Sequence, residues 1–224
     1  MPLTAVAPAE DPVGQVWLVR EQTEYEAAMH FALLAGELVA AGFPAGLAQA
    51  ALRASRDELE HAALCREVVA AHGALAPLPP RRGLRLGPAP LSRWQRAVYQ
   101  AVALSCITET LSVALLLEMR ALARDPPVVA AVGRIVRDES RHSQLGWAVL
   151  DRASAAGDVA WLSAHVPAML RAALDSEELT ATDDDLGGHG VLPPARSRAV
   201  TDAVVAQVIL PGLARHGIDV SAGC

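Results

Sequence analysis

One carboxylate constrains this chain of 224 residues more than any other feature. Glu109 is the only charged side chain between Arg96 and Glu118, in the middle of the stretch "AVALSCITETLSVALLLEMR". A segment so uniformly apolar folds as a helix buried on most of its faces. An isolated ionised carboxylate in such a place costs so much that it takes up a proton, pairs, or meets a cation. The segment is long enough to cross a bilayer, yet Glu109 sits where the bilayer centre would be, and no other stretch resembles a partner span. The expectation is a soluble all-α protein whose remaining sequence supplies a partner for Glu109.

Composition supports that class. Ala and Leu dominate and aromatics make up only 4%, which favours closely packed helices over sheets. The net charge of −6 weighs against nucleic acid or an anionic membrane as a partner. Every basic side chain is Arg, so no Schiff-base lysine exists, and "RRGLRLG" from Arg81 to Gly87 reads as a solvated loop. Cys65, Cys106 and Cys224 are widely spaced with no C-x-x-C, which argues for a reducing compartment and against a disulfide framework. The opening "MPLTAVAPAEDP" lacks a basic and an apolar signal region, so a cytoplasmic location is expected.

Periodicity and punctuation give four long helices, at about 14–41, 46–72, 92–124 and 126–155. Ser92 and Gln95 fit a capping box, and Asp125 followed by Pro126 fits an N-cap and first turn. The loops "AGFPAG" and "RDPP" are short, whereas "GALAPLPPRRGLRLGPAP" is long enough to traverse a bundle. Two hairpins joined by a crossover are therefore expected, as residues 1–13 (an extension), 14–155 (the bundle) and 156–224 (a helical appendage). Within the appendage, 158–174 reads as a short helix, "TDDDLGGHG" as a loop, and 194–216 as a helix that Pro211 kinks or ends.

Each hairpin contains the same pattern. Asp57-Glu58-x-x-His61 recurs as Asp138-Glu139-x-x-His142, and residues three apart share a helix face. Glu109 precedes the second motif by 30 residues, and Glu24, on a stripe with Ala27, Ala28, Phe31, Leu34 and Leu38, precedes the first by 34. Four glutamates and two neutral histidines carry −4, which two divalent cations cancel. Carboxylate-rich sites with imidazole and without thiolate suit iron or manganese rather than structural zinc. Asp57 and Asp138 are candidates to accept the second N–H of the opposite motif's His.

This pattern resembles the ferritin-like di-iron carboxylate superfamily, in which two helices each supply a Glu and two supply Glu-x-x-His. Carried over, the resemblance implies a ferritin-like four-helix bundle and the metal ligands Glu24, Glu58, His61, Glu109, Glu139 and His142. It also implies two Fe ions, with Fe/Mn or Mn as variants. The expected activity is an O2-dependent oxidase or oxygenase acting on a small organic substrate, with Glu109, Glu58 and Glu139 at the reacting centre. Glu58 and Glu139 would bridge, and Glu24 and Glu109 would be terminal. An unspecified electron donor and a homodimer complete the expected partners, with no nucleic acid and no membrane. Ala28, Phe31, Cys106 and Ser112 are candidates for the pocket wall, with small core packing the favoured role for Cys106 and Ser112, and the remaining histidines, without partners at ligand spacing, read as surface or loop residues. Ferroxidase or iron-storage chemistry, peroxide scavenging and a metal-free structural bundle are the alternatives.

Overall fold

The computed structural model describes residues 11–73, 87–88, 90–178 and 185–219, and these contain helices and no strand. Four long helices dominate: α1 (Pro12–Ala40), α2 (Ala45–Ala71), α3 (Arg93–Leu122) and α4 (Pro126–Ala156). They are followed by α5 (Val166–Glu178) and α6 (194–214), with 3-10 turns at Ala160–Ala164 and Gly187–His189. The ends follow local chemistry. Asp11 caps α1 by accepting the Val13 N–H at 2.9 Å, with Pro12 in the first turn. Ser92 and Gln95 form the expected capping box, at 3.2 and 3.0 Å. Asp125 occupies the N-cap position of α4, but its carboxylate makes no capping hydrogen bond.

The contacts at the helix ends fix the chain direction. His72, just after α2, lies beside Asp11 before α1 and Asp125 before α4. At the opposite end Arg96 in α3 donates to Glu37 in α1 at 3.0 Å. Helices α2 and α3 therefore run the same way, and the chain between them has to travel the length of the bundle. Residues 74–86 and 89 of that long connection, like residues 1–10 of the expected extension and Cys224, lie outside the described residues. Helix α1 packs chiefly on α2, and α4 packs on both α3 and α2.

The core falls into three apolar groups. Trp17, Val68, Leu116, Met119 and Ile135 fill one end, and Phe31, Leu34, Leu38, Ala51 and Val149 the other. The third lies outside the four-helix layer, where Leu162, Val166, Met169, Ile209 and Leu213 cover Val102, Ile107, Leu111 and Leu150. Residues expected as an appendage thus share a core with α3 and α4. That accounts for much of the apolar run of α3, which is buried on two sides, although Leu117, Arg120 and Ala121 near its end are exposed. It is the one described helix long and apolar enough to span a membrane, and 56% of its most apolar window is already buried against protein. Helix α6 continues past Pro211 because a π-helical turn, Val205–Ile209, precedes it and loosens the backbone where the ring would clash.

Candidate metal centre

The four long helices each deliver their expected acidic side chains to one place, between the two end cores. Glu24 comes from α1, Glu58 and His61 from α2, Glu109 from α3, and Glu139 and His142 from α4; all six are buried, the most exposed at 6%. Their ligand atoms form two overlapping groups that could each hold a metal ion. One is Glu24, Glu58, His61 and Glu139; the other is Glu58, Glu109, Glu139 and His142. Within each group the atoms lie within 4.8 Å of one another, and Glu58 and Glu139 belong to both.

The two histidines have matching surroundings. His61 turns Nδ1 inward, 3.1 Å from Glu58, 3.5 Å from Glu139 and 3.7 Å from Glu24, and Nε2 outward, 3.3 Å from Asp138. His142 turns Nδ1 toward Glu58 and Glu139, at 2.8 and 2.9 Å, and Nε2 toward Asp57, at 3.2 Å. Each aspartate thus serves the histidine of the other motif. Asp138 is itself held by Arg134 and Arg141, at 2.7 and 2.8 Å, and Arg141 also reaches Asp57, at 3.3 Å. A carboxylate that accepts the outer N–H fixes the tautomer with its lone pair pointing inward, the form a metal needs.

The backbone of α3 is adjusted to place Glu109. Residues Ala101–Glu109 form a π-helical stretch inside the longer α-helix, and Thr108 Oγ1 donates to the Ala103 carbonyl at 3.0 Å within it. Gly146, one turn after His142 on α4, packs against this stretch. A Cβ there would lie 2.5 Å from Ser105 Cβ and 2.6 Å from the Cys106 nitrogen, so only glycine lets the two helices approach this closely. Thr110 and Ser143 bridge the same helix pair at 2.8 Å, and Ser55 donates to the Ala28 carbonyl at 2.8 Å between α2 and α1.

The donor set fits a cation better than it fits itself. Four glutamates face two inward nitrogens, and Glu58 Oε1, wholly buried, makes no well-aligned hydrogen bond: its near neighbour His142 Nδ1, at 2.8 Å, is shared with Glu139 at 2.9 Å. A buried acceptor in that condition is costly. Burial, then the charge of Glu139, pushes the Glu58 carboxyl up to about 8. The same two causes push Glu109 well above the usual carboxylate range. Burial opposes ionisation of Glu139 too, yet hydrogen bonds from His142 and His61 hold it below that range. Burial disfavours the His142 imidazolium, but Glu139 and Glu58 outweigh it and raise the group to about 10. His61 is raised against the same burial penalty by Glu139, Glu24 and Glu58. A cluster that draws protons onto its histidines is short of positive charge, which is what divalent ions supply.

Other candidates separate. Phe31 packs against the His142 ring, with centroids 5.2 Å apart, and Ala28 is buried one turn after Glu24. Cys106, a pocket candidate for which core packing was the favoured role, is buried in the outer apolar core with Val102 and Leu150. Ser112 is half-buried. Three histidines expected as surface or loop residues are more involved than that. His72 and His189 meet at Asp125, with all three half-buried. His30 is also half-buried and lines a cavity of about 390 Å³ between α1, α3 and α5, together with Glu26, Tyr99, Thr108 and Met169. Spacing could not reveal these, since the partners lie far apart in sequence. Compared with protein-family models, curated proteins and solved structures, the chain matches none.

Proposed function

We propose that the chain is a ferritin-like di-iron carboxylate protein, in which Glu24, Glu58, His61, Glu109, Glu139 and His142 hold two iron ions that oxidise a small organic molecule with O2. The observation that carries this is the sharing of Glu58 and Glu139 by two ligand groups, each completed by one further glutamate and one histidine. Shared carboxylates keep two cations adjacent, and one Glu-x-x-His on each of two helices is the pattern of that superfamily. Iron, when bound, supplies the electrons and Lewis acidity for O2 activation, with manganese as the variant.

The chain's own residues account for the rest. His61 and His142 are presented as neutral inward donors because Asp138 and Asp57 take their outer N–H groups. Glu58 and Glu139, which belong to both ligand groups, would be shared by two ions, and Glu24 and Glu109 would each serve one. Phe31, Ala28 and the apolar groups above and below keep bulk water away, which strengthens every charge interaction inside. The nearby cavity is large enough for an organic substrate, and its walls are mainly apolar with Thr23, Glu26, His30, Tyr99 and Thr108 as the polar points. That cavity favours a molecular substrate over iron storage, and the acidic balance of the chain weighs against a nucleic-acid partner.

Anaerobic Fe(II) titration followed by O2 tests the proposal. The expected result is uptake that falls in both Glu109→Ala and His142→Ala, with helicity retained by circular dichroism and O2 consumed only by the loaded wild type. Unchanged uptake in both variants contradicts the ligand assignment. Size-exclusion chromatography is expected to give a monomer or dimer, and a large cage would favour storage.

A further inference from the structure

We propose that His72, Asp125 and His189 form a second, mononuclear site for a borderline divalent cation of the Zn(II) class, with Asp11 orienting His72. The site lies at the end of the bundle where α1 and α4 begin and α2 ends. It shares no residue with the central cluster and does not depend on the function proposed for that cluster.

The geometry converges on one oxygen. Asp125 Oδ2 lies 3.0 Å from His72 Nε2 and 3.1 Å from His189 Nδ1. Donors bound at roughly 2.0–2.1 Å around one zinc are separated by about 2.9–3.4 Å, so these distances suit neighbouring positions of one coordination sphere. The three ligand atoms lie within 4.8 Å of one another. On its far side His72 turns Nδ1 to Asp11 Oδ2, at 2.8 Å. That contact stabilises the tautomer with a proton on Nδ1, which leaves the Nε2 lone pair facing a carboxylate oxygen. Two lone pairs at that distance call for a positive charge between them, either a second ring proton or a cation; the cation, bound to both with His189 as third donor, also accounts for the convergence of His189 on the same oxygen.

Four further features show that the groups are held in place. Asp125 stands at the N-cap of α4 but leaves that helix uncapped by its side chain, directing the carboxylate to the two imidazoles instead. His189 is fixed from behind, because its carbonyl accepts the buried Trp17 indole N–H at 2.9 Å. The neighbouring Gly188 carbonyl accepts the N–H groups of Arg124 and Asp125, at 2.7 and 3.1 Å, which locks the two segments together. Gly190, at φ 71, makes the turn that returns the chain, and a side chain there would collide with Val128.

The charges also balance. Asp11 and Asp125 bring −2 and two neutral imidazoles bring nothing, so one dication closes the account. Both aspartates sit at helix N-termini, where negative charge is favoured, and His72 sits at the C-terminus of α2, where positive charge is favoured. The His189 side chain is 42% exposed, which leaves an open side for water to complete the coordination. A cation here ties together the start of α1, the end of α2, the start of α4 and the 187–189 turn.

Titration of the metal-free full chain with Zn(II), followed by NMR of 15N-labelled histidine rings, tests the site. Zinc is expected to move Nε2 of His72 and Nδ1 of His189 to metal-bound shifts. In His189→Ala the His72 response is lost while those of His61 and His142 persist. Asp11→Asn, which keeps a capping side chain, is expected to weaken zinc at this site by roughly 10–100-fold. A His72 ring that carries protons on both nitrogens before and after zinc would overturn the proposal, as would a His72 response of equal affinity in His189→Ala. A response at His72 and His189 with none at His61 and His142 would support this site and count against the central one.

Discussion

Asp57 and Asp138 offer the cleanest residue-level test, because a change to asparagine preserves shape and removes the charge behind each histidine. Asp138→Asn is expected to weaken metal binding at the central cluster by roughly 10–100-fold in chelator competition, with helicity unchanged. Asp57→Asn is expected to cost less, since the Asp57 side chain is 19% exposed against 2% for Asp138 and water can take its place. His30 supplies a pH prediction. Burial lowers its pKa from 6.5, with Glu26 opposing, so folding favours the neutral ring. A depressed folded value means that this stability is present above 6.5 and is lost as pH falls through the lower folded value. Urea denaturation of metal-free protein is expected to show part of its acid sensitivity below pH 6.5 removed in His30→Gln. Glu58-x-x-His61 and Glu139-x-x-His142 were legible in sequence because helical spacing alone puts each pair on one face. His30, His72 and His189 were not, because their surroundings come from segments that only tertiary folding brings together.

At the scale of the element, the π-helical stretch Ala101–Glu109 and Gly146 form one device. Gly146→Ala pushes a methyl group into Ser105 and the Cys106 backbone, neither of which can yield without moving α3. It is expected to destabilise the fold by at least about 1–3 kcal/mol in chemical denaturation and to lower metal uptake by displacing Glu109. Gly133→Ala on the same helix meets nothing within 4 Å and is expected to be neutral or stabilising by up to about 1 kcal/mol. Equal effects at the two glycines would contradict the close-approach argument. The helix around Glu109 was readable as buried, but its π-helical turn was not. A run that is apolar on every side has no periodicity for an extra residue to interrupt, so the π-helical turn left no trace in the sequence.

For the whole molecule, the helical class and the chain direction were legible, since two short loops and one long one imply hairpins joined across the bundle. The placement of the C-terminal helices was not, because α5 and α6 carry apolar faces that many surfaces would accept, and only the second buried side of α3 selects one. A metal held by four helices couples both hairpins. At a free ion concentration of 100 times Kd, binding stabilises the fold by about 2.7 kcal/mol, which for a chain of this size raises Tm by roughly 5–10 °C. Chelation is expected to reverse the shift, read by calorimetry in wild type and absent in a Glu58→Ala, Glu139→Ala variant. The central claim, a pair of adjacent ions on shared carboxylates, is tested most directly by Mössbauer spectroscopy of 57Fe-loaded protein after exposure to O2. The account predicts the diamagnetic spectrum of two antiferromagnetically coupled ferric ions per chain, lost in the variant without Glu58 and Glu139. Only magnetically isolated ferric ions, or the same coupled spectrum in that variant, would contradict it.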